Sequence, residues 1–229
     1  MAYGHWPFGF GGSSFGVRLV MGSGVTTYDV GMGQRWEPNA AERLEGAALA
    51  LFAERGYDVT TVAEIADRAG LTRSAFFRYF ADKREVLFGR PDLLANLFSD
   101  AIRAAPPAAT AIDCIAAALE SAAPGFTADR RELARQRLAV IAASSDLRER
   151  ALLKQARLSS LMAEALCAHG IEETTARLAA ELGVLAFNTA RARWVAPENR
   201  KPFTEIAHGA LRDLQARAAV LGAGADVTA

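Results

Sequence analysis

Residues 60–83 read TTVAEIADRAGLTRSAFFRYFADK, two short helical patterns on either side of one glycine. Thr61 with Glu64 three residues on forms a capping box, which opens a helix carrying Val62, Ile65, Ala66 and Ala69 on one side. Gly70 ends that helix, since glycine takes a left-handed turn conformation at little cost. Leu71 then supplies an apolar plug that fixes the angle between the helices, and Thr72 caps the second one. This helix has two unlike faces. Ala75, Phe76 and Phe80 can pack inward, whereas Arg73, Ser74, Phe77, Arg78 and Tyr79 lie toward the outer side or the helix end. Arginine, hydroxyls and an aromatic ring at the exposed start of a short helix suit insertion into the major groove of DNA. Asp82 caps the helix expected next, and Lys83 and Arg84 stand near its N-terminus, where a phosphate can also be met.

Residues 50–87, ALFAERGYDVTTVAEIADRAGLTRSAFFRYFADKREVL, resemble without a gap the TetR family of one-component bacterial transcription regulators. The GYD turn, the TTV start, the AGLT turn, the FFRYF run and the DK pair all fall in the family's order and spacing. The resemblance implies a three-helix DNA-binding head, a mostly helical ligand-sensing body and a homodimer. It implies contacts to double-stranded operator DNA from Thr61, Thr72, Arg73, Ser74, Phe77, Arg78, Tyr79 and Lys83. Phe77 stands where the family often has tyrosine, so one hydroxyl contact to phosphate is missing and affinity leans on Arg73, Tyr79, Lys83 and the capping groups.

Outward from this stretch the expected fold is all-α. The chain has 229 residues, 51% of them hydrophobic, enough to bury a large core, and no run of alternating β-branched residues appears. A formal net charge of +0 argues against a protein that coats nucleic acid non-specifically, while leaving room for recognition by a few arginines. Cys114 and Cys167 lie far apart in helical patterns and read as buried thiols of a reducing cytoplasm rather than a redox pair. No zinc spacing is present, and no cofactor is implied.

The expected division is an extension over 1–33, a head over 34–88, a body over 89–221 and a tail over 222–229. Residues 1–33 mix glycine, serine and aromatics without period, and they lack the basic start and continuous apolar core of a secretory signal. Met32 followed by GQRWEPNAAERL looks like a regulator's usual beginning, so the residues before it read as a misassigned start or an accessory arm. Arg18 and Arg35 are the cations such an arm could bring to a minor groove. The first helix should follow Pro38 and Asn39, carry Leu44, Ala48, Leu51 and Phe52 on its core face, and end at Gly56. After Lys83 a helix through Val86, Leu87 and Phe88 should bend or restart at Gly89-Arg90-Pro91, a fixed kink or a hinge between head and body.

Helical patterns then cover 93–104, 112–122, 128–143, 146–168, 172–194 and 203–221. The last two are long and rich in alanine and leucine, and the family's dimer is usually a four-helix bundle of two such helices from each subunit. Leu178, Leu182, Leu185, Leu211 and Leu214 are therefore placed near that interface or in the core behind it. Residues 130–194, with RELARQRLAVIAASSDLRERALLKQ and GVLAFNTARARWV, are similar to the C-terminal domain of mycofactocin-type regulators, a subgroup associated with fatty acyl-CoA. Phe126, Leu138, Ile141, Leu161, Met162, Phe187 and Trp194 could enclose a small hydrophobic or acyl chain, with Arg157 or Arg191 pairing its anion, or could simply be core.

An enzyme is not expected, because His5, His169 and His208 sit in no nucleophile or metal constellation and the serines lack a strand-turn-helix elbow. The sequence therefore reads as a cytoplasmic, ligand-released repressor without a membrane segment. The alternative is a dimeric helical interaction module whose head has lost DNA affinity.

Overall fold

The computed structural model describes residues 39–89 and 93–222. Expectations for the extension over 1–33, for Arg90 and Pro91 at the hinge, and for the tail after Gly222 fall outside those residues. Among the described residues the structure is built from α-helices and 3-10 turns, without strands. The head holds α1 (Ala40–Arg55), α2 (Val62–Arg68) and α3 (Arg73–Tyr79). The body holds α4 (Leu93–Arg103), α5 (Ala111–Ser121), α6 (Arg131–Ala143), α7 (Ser145–Ala168), α8 (Glu173–Trp194) and α9 (Phe203–Gly222).

The helix boundaries follow local chemistry. Gly56, at φ 90°, ends α1, and its N–H donates to the Phe52 carbonyl. At α2 the full capping box forms, with Glu64 N–H donating to Thr61 Oγ1 and Thr61 N–H to Glu64 Oε2. A second box, Thr110 with Asp113, opens α5. The Glu172 carboxylate accepts from the N–H groups of Thr174 and Thr175 at the head of α8, and these bonds pull its pKa down to about 2.

One expected element differs. In place of a helix through Phe88 there is a single 3-10 turn, Glu85–Leu87, which Asp82 opens by accepting from the N–H groups of Arg84 and Glu85. Gly89 follows at φ 70°, and α4 starts only at Leu93. Val86 and Leu87 are buried too deeply in the head to continue along an exposed linker.

Two cores are joined by α6 and the start of α7. The head core gathers Leu44, Leu49, Phe52, Ile65, Phe76 and Leu87, but it also takes in Val140 of α6 and Leu147 of α7. The body core centres on Phe98, Ile102, Ile115, Leu119, Met162, Phe187 and Trp194. Gly183 lets α8 approach its neighbours closely, since a Cβ there would fall 2.8 Å from Met162 Cε and 3.1 Å from Ile115. Apolar area removed from water drives both cores.

The joint also carries charge. Glu85, only 5% exposed, meets Arg150 Nε at 2.7 Å and Lys154 Nζ at 3.0 Å, two cations one helical turn apart on α7. Removing the carboxylate leaves two partly buried cations facing each other across the joint. Glu85→Ala is expected to lower stability by about 2 kcal/mol in urea unfolding, and Arg84→Ala, at an exposed ion pair, by no more than about 0.5 kcal/mol.

Candidate DNA-recognition helix and effector site

The recognition surface is built at the glycine turn between α2 and α3. Gly70 adopts φ 65°, and Leu71 N–H reaches back to the Ala66 carbonyl, closing the end of α2. Arg43 of α1 donates its Nη2 to the Ala69 carbonyl and so ties this turn to the first helix. Thr72 is the N-cap of α3, accepting from Ala75 N–H at 3.1 Å. Ala75 and Phe76 anchor α3 in the head core, with Phe76 edge-on to Phe77 at 5.5 Å and tilted against Phe80.

This anchoring turns Arg73, Ser74, Phe77 and Arg78 to solvent. Phe77 is 47% exposed, and the Arg73 guanidinium lies 5.7 Å from its ring centre, a cation–π contact that limits the arginine's freedom. Elsewhere on the head the arginines are neutralised by acids: Arg55 by Glu64, Arg68 by Glu54 and Arg84 by Asp82. Among the described residues no carboxylate pairs with Arg73 or Arg78.

Three other expected DNA contacts are placed differently. Tyr79 is half-buried and packs against the head core. The Thr61 hydroxyl donates to Glu64 Oε2 at 2.8 Å, so the cap occupies its proton. Lys83 turns inward: Nζ donates to the carbonyls of Tyr57 at 2.7 Å and Thr60 at 3.0 Å and lies 4.0 Å over the Tyr57 ring. Burial lowers its pKa, and burial pushes the Tyr57 phenol up to about 12. Lys83 thus fastens the GYD turn, through contacts 23 and 26 residues away that local spacing could not reveal.

In the body, aromatic rings from the loop before α6, from α8 and from the start of α9 gather together. Phe126 stacks on Phe203 at 3.7 Å and stands edge-on to Trp194 at 5.1 Å and to Phe187 at 6.0 Å. Phe187 and Trp194 are buried, whereas Phe126 is half-buried on the loop before α6. Met162 and Leu161 belong to this body core. Ile141 packs against the head core instead, Leu138 is half-buried on α6, and Arg157 is exposed on α7.

Arginines border the ring cluster. Arg131 lies 5.2 Å over Trp194 and donates to the Asn199 carbonyl, and Arg191 lies 5.5 Å over Phe187. Beside Arg191 is Arg137 of α6, which is ion-paired with Glu45 of α1. Burial, and then the neighbouring Arg191, lower the Arg137 pKa to about 10, and burial alone lowers that of Arg191. Sequence reading grouped Arg191 with the rings but missed Glu45, because the partners lie on different helices.

Leu178 and Leu185 of α8 are exposed at 71% and 52%, Leu182 and Leu214 are half-buried, and Leu211 lies in the body core. A shallow groove of about 310 Å³ runs beside Leu178 between α7 and α8, lined by Ser159, Ser160, Ala163, Arg177 and Glu181. Cys114 is buried and its thiol pKa is raised by burial, but Cys167 is exposed near the end of α7, because its position falls on the outer side of that helix. Among the described residues no cluster of His, Cys, Asp or Glu could hold a metal, and no helix is long and apolar enough to cross a membrane.

Residues 46–88 match the family model described as bacterial regulatory proteins, tetR family. No curated protein matches the chain. Among solved structures, the SmeT–triclosan complex is 23% identical over 78% of this chain and 90% of its own, with a TM-score of 0.51, a likeness of fold. SmeT is the repressor of the Stenotrophomonas maltophilia multidrug efflux pump SmeDEF. Thermus thermophilus FadR, a TetR-family transcriptional repressor solved with lauroyl-CoA, is 25% identical over 76% of this chain and 93% of its own, with a TM-score of 0.47.

The inward Lys83 has a measurable consequence. Lys83→Ala should cost the head about 1.5–3 kcal/mol in urea unfolding, the range for hydrogen bonds from a charged group. A lysine facing only phosphate would leave stability unchanged.

Proposed function

We propose that this chain, a transcriptional regulator with a TetR-family DNA-binding domain, is a cytoplasmic homodimeric repressor released from its operator by a small hydrophobic effector. The observation that carries the reading is the unpaired arginine surface of α3. Every other head arginine named above is held by a carboxylate or a helix end, whereas Arg73 and Arg78 face outward without an acid partner among the described residues. A rigid, capped helix presenting two such guanidiniums, the Ser74 hydroxyl and the Thr72 cap suits insertion into a major groove.

In this reading two heads place residues 73–79 in successive major grooves of a pseudo-palindromic operator, roughly 34 Å apart. Leu178 and Leu185, one face of α8 at seven-residue spacing, supply the apolar seam between subunits, with Leu182 and Leu214 at its margin. The effector enters the body beside the aromatic cluster, and an acyl-CoA or a similar amphipathic anion suits rings bordered by arginine. Ligand and operator then oppose each other through differential affinity for two head spacings, so operator must weaken effector binding as much as effector weakens operator binding.

Fluorescence anisotropy against a duplex from upstream of the protein's own gene, beside a scrambled duplex, tests the reading. Sequence-dependent binding is expected, and Arg73→Ala should cost about 1–3 kcal/mol while relaxing the preference between duplexes. Equal, weak binding to both duplexes and to a genomic fragment pool would favour the interaction module instead. Leu178→Glu should shift the protein toward monomer in sedimentation and lower operator affinity with it.

A further inference from the structure

Four leucines of the body are each more than half exposed, Leu152 and Leu153 on α7 and Leu178 and Leu185 on α8. The two helices are antiparallel neighbours joined by residues 169–172. Their register is fixed by Ser159, whose hydroxyl donates to Glu181 Oε1 at 2.7 Å, and by the close approach of Met162 to Gly183. In that register Leu178 stands level with Ser160 and Ala163, and together they line the groove of about 310 Å³. A second groove, of about 720 Å³, continues past Ser160, Ala163 and Arg177 to Cys167. Leu153, Ala156, Ser160, Ala163 and Cys167 recur at steps of three and four along α7, as Leu178, Glu181 and Leu185 do along α8, so each set lies on one side of its helix.

The two sides match each other. Where α8 carries large side chains, α7 at the same level carries small ones and a hollow. A two-fold axis running along the helices sets α8 of each copy against α7 of the other, with Leu178 opposite Ser160 and Ala163 and Leu185 opposite Ala156. It also keeps both heads at one end, as two half-sites on one operator require. Arg177 lines the larger groove with Glu164 and Glu173, so the surface carries both signs, which suits its own copy better than a partner of a single charge. Its size is sufficient. Helix α8 has 22 residues and is about 33 Å long, and two packed helices are about 20 Å wide. The projected area is roughly 650 Å², near the roughly 800 Å² that each partner of a standard interface buries. On its other side α8 is bridged to α9 by Arg193 and Asp213, and the large exposed apolar residues of α9, Val220 and Leu221, stand at its last turn.

We propose that a second copy of this chain docks across α7 and α8, each subunit seating its α8 leucines in the α7 hollow of the other, rather than across α8 and α9 as the TetR-family resemblance implies. Leu152 and Leu153 flank this contact at the end nearer the heads, and Cys167 is covered at the far end. The proposal rests on the homodimer reading and names the helix that completes the interface. Association itself is measured without DNA.

Sedimentation equilibrium of the full chain, combined with maleimide labelling of its thiols over the same concentrations, tests it. Cys114 is buried and Cys167 is exposed in the single chain, so Cys167 supplies the labelling signal. Its rate should fall in proportion to the monomer fraction as the dimer forms. Ser160→Arg, at an exposed position in the hollow, should raise the dimer Kd about tenfold or more, while Ala216→Arg on the exposed side of α9 leaves it unchanged. Labelling of the unaltered protein needs no variant, so a misfolded Ser160→Arg would not remove the test. A dimer whose Cys167 reacts as fast as in the monomer, or one that Ala216→Arg dissociates and Ser160→Arg does not, would overturn the proposal. A chain that stays monomeric at every concentration would overturn it together with the homodimer reading. A dimer with protected Cys167 that recognises no duplex would refute the repressor reading and leave the surface standing.

Discussion

Glu85 is the constraint on which the arrangement of head and body depends. A carboxylate at 5% exposure in an apolar joint needs cations to meet it there, and Arg150 and Lys154 do so from successive turns of α7. That requirement fixes the rotation of α7 about its axis. With Arg150 and Lys154 toward Glu85, Leu147 one turn earlier falls into the head core, and Lys154 lies 5.9 Å over the Phe88 ring. The head is therefore seated on the body by its own buried side chains, and not only by the connection through Gly89.

The second joint, through α6, is likewise richer in cations than in carboxylates. Glu85 meets two cations and is oversupplied with positive partners, and Glu45 serves an arginine that a second arginine crowds. Both are pairs in partly desolvated surroundings, where the interaction is strong when made and costly when half made. Such joints favour discrete arrangements over gradual bending, because an intermediate position leaves charges unpaired. An element with two alternatives is what a ligand needs if it is to shift the position of a distant surface.

Local chemistry made most of the helices legible. Thr61 with Glu64, Thr72 before α3, Gly56 and Gly70 each satisfy or release backbone groups within a few residues, and such requirements leave a mark at fixed spacing. The inward faces of α1 and α3 were readable for the same reason, since Leu44, Phe52 and Phe76 recur at helical period. What spacing could not reveal is pairing across the fold. Glu85 meets Arg150 at a separation of 65 residues, and Lys83 turns to Tyr57 rather than outward because three carbonyls and a ring converge there. Ile141 follows the same rule: helical period marked it as inward-facing but not which of two cores it faced. The 3-10 turn at Glu85 is a further case, because tertiary burial of Val86 and Leu87 overrides a pattern that would extend a helix.

The pairing of most head arginines bears on how DNA would be recognised. Protein–DNA affinity that rests on many phosphate contacts needs many free cations, and it is indifferent to sequence. This head commits Arg55, Arg68 and Arg84 to carboxylates and Lys83 to carbonyls, and the whole chain carries a formal net charge of +0. The non-specific attraction available to one head is correspondingly small. In the proposed reading, recognition by Arg73 and Arg78 on a helix of seven residues would need a second head to reach useful affinity, because two weak, fixed contacts held at one spacing act together. The proposed dimer seam on α8 and the sparse cationic surface on α3 would in this sense be one design. The fewer the phosphate contacts, the more binding depends on the distance between heads, and the less an effector must move to abolish it.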